Sequence, residues 1–270
     1  MADILGERDD NVPETPTRVS EPSRKSQLPK RFYKDVVVAE EDGLHVVKLD
    51  ERPVKTPGKS PLGSTSAEIA RTMAAEWRDQ IDVIDPLTMP VTRLVNTAID
   101  GVASDLQVVQ EDIVRFASSD MLCYRADGPS GLDDLHREHW DPLIDWCHVA
   151  LGARFSLAQG IVFVEQPAEA MTAFNGHVGQ IVDPTALAAC HLVTTLTGSA
   201  IIAMAVYKGE IDLDEAWKIA HVDEDWNISH WGEDEDAKER RVARFVDMKA
   251  ACTCIAAITW NCQPRYVELQ

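Results

Sequence analysis

Residues 33–49 read YKDVVVAEEDGLHVVKL. Two Val-rich runs, Tyr33–Ala39 and Leu44–Leu49, flank Glu41-Asp42-Gly43. Apolar β-branched runs separated by a short Asp-Gly turn predict a β-hairpin. Arg52-Pro53-Val54-Lys55-Thr56-Pro57-Gly58 continues in short extended pieces, so residues 31–64 form a small β domain. Beyond them the period changes from two to 3.6. Thr65 and Glu68 have capping-box spacing, and Ile69, Met73 and Trp77 follow at helical intervals. Ser104 with Gln107 and Asp212 with Glu215 repeat that spacing, and residues 136–151 and 236–258 also read as helical. The expected fold class is α+β, a small N-terminal β domain followed by a larger, mostly helical domain over 65–270. Residues 1–30 read as a disordered acidic tail, with Asp3, Glu7, Asp9, Asp10, Glu14 and Glu21 among scattered prolines.

The bulk properties narrow the function. The chain has 270 residues and a formal net charge of −19. Such a field opposes nucleic acids and anionic bilayers and favours basic partners. The N-terminus lacks the apolar core of a signal peptide and is too acidic for a transit peptide. A cytoplasm is therefore expected rather than a mitochondrial matrix. The six cysteines include no Cys-x-x-Cys pair and read as buried free thiols. Residues 185–206 carry no charge, but His191 and several Thr, Gly and Ser dilute them. A buried helix, or two broken near Gly198, fits better than a membrane span.

Familiar catalytic patterns fail. Gly58-Lys59-Ser60 imitates a phosphate loop, but Pro53 stands where its first Gly belongs. His136 and His139 lack the metalloprotease order and a third ligand, and read as two solvated histidines beside Trp140. His191 reads as a satisfied core histidine. No metal, cofactor or nucleophile is implied.

What stands out is packing chemistry and acid. Seven tryptophans all lie beyond residue 64; most serve the core, though tryptophan also anchors interfaces. Residues 209–239 hold twelve acids and two bases, interleaved with Leu213, Trp217, Ala220, Ile228 and Trp231. If one helix runs through, Glu224 falls inside an apolar stripe. A desolvated carboxylate there needs a counterpart: an internal Arg or Lys, a helix N-terminus, or a basic or amide group on another protein.

Four ordered segments carry a resemblance. They are Leu49–Pro57; Glu76-Trp77 through Met89-Pro90 to Asp100; Asp120–Ala126 with Trp140-Asp141-Pro142 and Trp146; and Thr194–Ser199 with Glu215-Ala216-Trp217, Val222–Trp226 and His230-Trp231-Gly232. Together they resemble the F1-ATPase assembly chaperones that attend the alpha subunit, in their bacterial branch. The resemblance implies a non-enzymatic protein without cofactor, a monomer, that binds free alpha subunit and masks its beta-facing surface until beta replaces it. Trp77, Pro90, Trp140, Asp141, Pro142, Trp146 and Gly198 are then family-motif positions. Glu224, Glu215, Trp217, Ile228 and Trp231 are candidate partner contacts, with Asp223 and Asp225 expected to matter less. The competing readings are an enzyme with an acidic cleft in the helical domain, and a generic acidic scaffold.

Overall fold

The computed structural model describes residues 28–160 and 162–262. The disordered-tail reading falls, for residues 1–27, outside them. The hairpin pairs β1 (Val36–Glu41) with β2 (Leu44–Leu49), antiparallel, with Val36 opposite Leu49. Asp42 and Gly43 both take positive φ at its turn, as a tight hairpin requires. β3 (Arg52–Pro53) and β4 (Gly63–Ser64) both pair with β2, completing a four-stranded sheet. The strand starts at Val36 rather than Tyr33. Order reaches back to Pro29, whose carbonyl accepts from Ile84 N–H at 2.8 Å.

Helix α1 (Ala67–Arg78) packs on this sheet, followed by α2 (Pro90–Thr97) and α3 (Leu106–Ala117). Two capping boxes are corrected here. Ser66, not Thr65, precedes α1; its hydroxyl donates to the Ala257 carbonyl instead of capping. α3 is capped by Asp105, one residue after Ser104. Asp offers a carboxylate to Val108 N–H where Ser would offer a neutral hydroxyl.

The α1–α2 junction explains part of the Glu76…Pro90 pattern. Pro90 occupies the first turn of α2, where a missing N–H costs nothing. The next two amides, of Val91 and Thr92, donate to the two oxygens of Glu76, each at 2.7 Å. Burial raises the Glu76 pKa while these amides oppose the shift. The neighbouring Trp77 is only half-buried, with its ring edge-on to Tyr33 at 5.8 Å.

A turn of wide helix at Ala98–Val102 places Asp100 over the loop after β3. Its carboxylate accepts from the Thr56 hydroxyl at 2.6 Å and from Gly58 N–H at 2.7 Å. A Cβ at residue 58 would lie 2.6 Å from that carboxylate, so glycine is required for the closeness of this contact. The Gly58-Lys59-Ser60 turn is thus clamped to the helical part by an acid.

After β5 (Tyr124–Arg125) come α4 (Ser130–Leu151), β6 (Ala158–Gln159) and α5 (Ala168–Val178). β5 and β6 form a short parallel pair that the sequence pattern does not announce. α6 (Pro184–Thr197) and α7 (Ala200–Lys208) divide the uncharged stretch. Gly198, at φ +71°, ends α6 and Ser199 caps α7 through Ile202 N–H. Both helices are largely buried, and among the described residues no helix is long and apolar enough to cross a membrane. His191 is half-buried and meets Asp112 at 2.8 Å, so it is partnered but not a core residue.

α8 (Leu213–Ala220), α9 (Val222–Trp231) and α10 (Glu235–Cys262) complete the chain. α10 lies along α6 and reaches α1, α2, α7 and α8, so one hydrophobic core runs from Tyr33 in the β region to Ala257. The cysteines at 123, 147, 190, 252 and 254 are free thiols, and burial pushes each pKa upward.

Candidate partner-binding site

The acidic segment is not one helix. α8 begins on Asp212, whose carboxylate accepts from Glu215 N–H at 3.0 Å, and stops at Ala220. His221 leaves helical geometry at φ −119° and ψ 19°, and α9 starts anew from it. The expected stripe from 213 to 231 is therefore broken in its middle. The physical cause lies in the His221 ring, which is buried against Trp217 at 3.9 Å and bonds back to the Trp217 carbonyl at 2.7 Å. Trp217 is held between His221 and Phe245 of α10. Glu215 is exposed on the first turn of α8.

Glu224, Ile228 and Trp231 fall together on α9. They line one shallow depression of about 180 Å³, with Asp234, Lys238 and Arg241 on its α10 side. Trp231 is 86% exposed, a large aromatic ring left in solvent at the rim of this depression. The site thus gathers three of the five candidate contacts and separates Glu215 and Trp217 from them.

The electrostatics of Glu224 follow from His221. Hydrogen bonding to a carbonyl puts the proton on Nδ1, and burial holds the His221 pKa below its usual range. At neutral pH its Nε2 is then a bare acceptor. It faces the Glu224 carboxylate at 3.7 Å, too far and with the wrong polarity for a hydrogen bond. The nearby cations are engaged: Arg241 binds Asp225, and Lys238 pairs with Glu233 at 2.9 Å. Among the described residues Glu224 has no ion pair other than this long one. Its position in the first turn of α9 supplies the helix-end partner weighed above, typically about 0.3–1 kcal/mol at such an exposed place. The carboxylate remains 40% exposed beside Ile228 and Trp231.

The elbow between α8 and α9 is held from below by α4. Trp140, 1% exposed, donates its indole N–H to the Ile219 carbonyl at 3.0 Å. One turn earlier, His136 stacks on Trp140 at 3.7 Å and bonds Asp223 at 2.5 Å. Its Nδ1 accepts from Ala126 N–H, so Nε2 carries the proton toward Asp223. Arg125 lies over Trp140 and binds Asp141 at 2.6 Å and the His136 carbonyl at 2.8 Å. The reading of His136 as solvated is corrected: it is 2% exposed. Its partner lies 87 residues away in sequence, and its i, i+4 spacing to Trp140 was the available signal. Asp223 and Asp225 are structural ties at this elbow rather than idle surface acids. Pro142 sits on the exposed side of α4, and Trp146 packs on the core. Among the described residues no three His, Cys, Asp or Glu side chains gather as a metal would need.

Residues 30–148 match the family model of the ATP12 chaperone protein. The mitochondrial atp12 protein of Schizosaccharomyces pombe is 25% identical over 235 residues, which cover 83% of this chain and 80% of that protein. Two crystal structures are similar in fold. The Atu1473 protein of Agrobacterium tumefaciens aligns at a TM-score of 0.82 with 48% identity, covering 88% of this chain and 91% of its own. Atp12 of Paracoccus denitrificans aligns at 0.79 with 36% identity, covering 85% and 98%. The identity and coverage place this chain in the family as well as in the fold: it belongs to the ATP12 chaperones, the family of ATP synthase assembly.

Proposed function

We propose that this protein holds the free alpha subunit of F1-ATPase and masks its beta-facing surface until the beta subunit takes its place. The observation that carries this reading is Glu224. A half-exposed carboxylate whose neighbouring cations, Arg241 and Lys238, are paired with other acids sits beside an 86% exposed tryptophan on a frame fixed by buried hydrogen bonds. Exposed aromatic surface with an adjacent unspent charge is the chemistry of a protein contact. The helical part strengthens it, since residues 65–262 hold 32 acids against 14 bases. That field draws in basic surfaces and slows self-association.

The carboxyls with raised pKa do not support an enzymatic cleft. Asp120 is buried and Glu76 partly buried, and both are occupied by main-chain amides of helix N-termini. On this reading the chaperone acts as a monomer in the bacterial cytoplasm, without nucleotide hydrolysis or cofactor. Affinity need only outcompete aggregation and then yield to the larger alpha–beta interface. Gel filtration checks the partner. The protein is expected to co-elute with isolated alpha subunit and to elute alone beside the assembled alpha–beta complex. Equal binding to both would reject masking of the beta-facing surface.

A further inference from the structure

The connection between α4 and α5 exposes three apolar side chains: Leu157 at 47%, Val162 at 69% and Phe163 at 68%. Single exposed apolar residues are ordinary, but a cluster on one loop calls for a partner. The base of the loop is fixed. Gln166 is buried and closes it, donating to the Ser156 carbonyl at 3.0 Å and accepting from Ser156 N–H at 2.8 Å. Phe155 is buried edge-on to Phe174 at 5.7 Å. β6 pairs with β5, and Gly160 N–H donates to the Arg125 carbonyl at 2.8 Å. A side chain displayed on such a base loses little freedom on binding.

The loop lies near α9, on the side of Trp226 rather than on the face that lines the depression. A Cβ at Gly160 would sit 3.2 Å from the Asp127 carboxylate, and one at Gly131 would sit 2.8 Å from the ring of Trp226 on α9. Gly131 lies four positions after Asp127, at most about 14 Å of extended chain. The Arg125 that anchors the loop also belongs to the stack under the α8–α9 elbow. One rigid frame therefore presents both features.

Charge decides the occupant. Asp127 and Glu165 are exposed beside the apolar tip, and Arg154 is engaged with His148 at 2.7 Å. An anionic bilayer or a second copy of this acidic chain would be repelled. We infer that Leu157, Val162 and Phe163 form a second docking point for the alpha subunit, placing Val162 and Phe163 in an apolar pocket rimmed by basic or amide groups. This inference rests on the proposed chaperone function.

The test is the double variant Val162→Ser/Phe163→Ser, measured beside Glu224→Gln by titration with isolated alpha subunit. The double variant is expected to weaken binding at least about tenfold, the loss of one hot spot, with the melting temperature within about 2 °C of the parent. Unchanged affinity overturns the inference. Sedimentation velocity and flotation with neutral phosphatidylcholine vesicles supply the other arms. Self-association or vesicle binding that the substitutions abolish would reassign the loop and overturn it too. If Glu224→Gln weakens binding and the double variant does not, the loop alone is excluded. If the parent fails to bind isolated alpha subunit, the chaperone reading falls and takes this inference with it.

Discussion

Asp120→Ala is expected to destabilise the fold by about 3 kcal/mol at pH 7.5, and by more at pH 4.5. Asp120 is 0% exposed and lies between α3 and β5. Its Oδ1 accepts from Leu122 N–H at 3.1 Å, and its Oδ2 accepts from Ile201 N–H, in the first turn of α7, at 3.0 Å. Alanine leaves these buried donors without acceptors, at about 1–3 kcal/mol each. The pH dependence has an unusual sign. Burial raises the Asp120 pKa to about 6 from 3.8, outweighing the donors around it. A carboxyl whose folded pKa lies above its unfolded pKa contributes stability below the unfolded value. That contribution is lost as pH rises through about 6. The parent therefore gains about 2 kcal/mol from this group between pH 7.5 and 4.5, by linkage over that interval. The variant does not. Denaturant melts of both proteins at the two pH values read the difference, in which the other titrating groups largely cancel. A cost that shrinks on acidification would show that Asp120 is held as a normal ionised cap.

Glu224→Gln is expected to weaken alpha-subunit binding by about 2–5 kcal/mol, the usual range for one partner of a desolvated charge pair. The melting temperature should barely move. Within the chain the substitution removes only a first-turn helix contact and a 3.7 Å approach to a neutral histidine. Asp223→Asn should behave in the opposite way. It replaces the carboxylate that accepts the 2.5 Å bond from buried His136 with a neutral amide oxygen, a weaker acceptor, so it lowers stability first. A clear stability loss in Glu224→Gln with intact binding would retire Glu224 as a contact.

The parts of the fold that were legible in the sequence are those set by local chemistry. The hairpin shows in its Val runs and Asp42-Gly43 turn, α8 in its Asp212 cap, and the α6–α7 break in Gly198 and Ser199. What misled was local chemistry overruled from a distance. Residues 213–231 keep a helical period, yet a buried His221 ring turned onto Trp217 ends the helix. His136 has the composition of a surface residue and is buried because Asp223 arrives from α9. Asp120 caps Leu122 N–H locally, but only the approach of α7 adds the Ile201 N–H and buries the carboxylate. At the site, Glu224, Ile228 and Trp231 share a face because i, i+4 and i+7 positions do so on any single helix. Trp217 was joined to them by a continuous helix that breaks at His221, and Glu215 by the resemblance alone.

Masking is the central claim, and displacement tests it most directly. The chaperone–alpha complex is mixed with excess beta subunit in the absence of nucleotide, and release is followed by fluorescence of a label on the chaperone. The account predicts that free chaperone appears in step with alpha–beta complex, because one surface cannot hold both proteins. A stable ternary complex of chaperone, alpha and beta, or release that requires ATP hydrolysis, would contradict it.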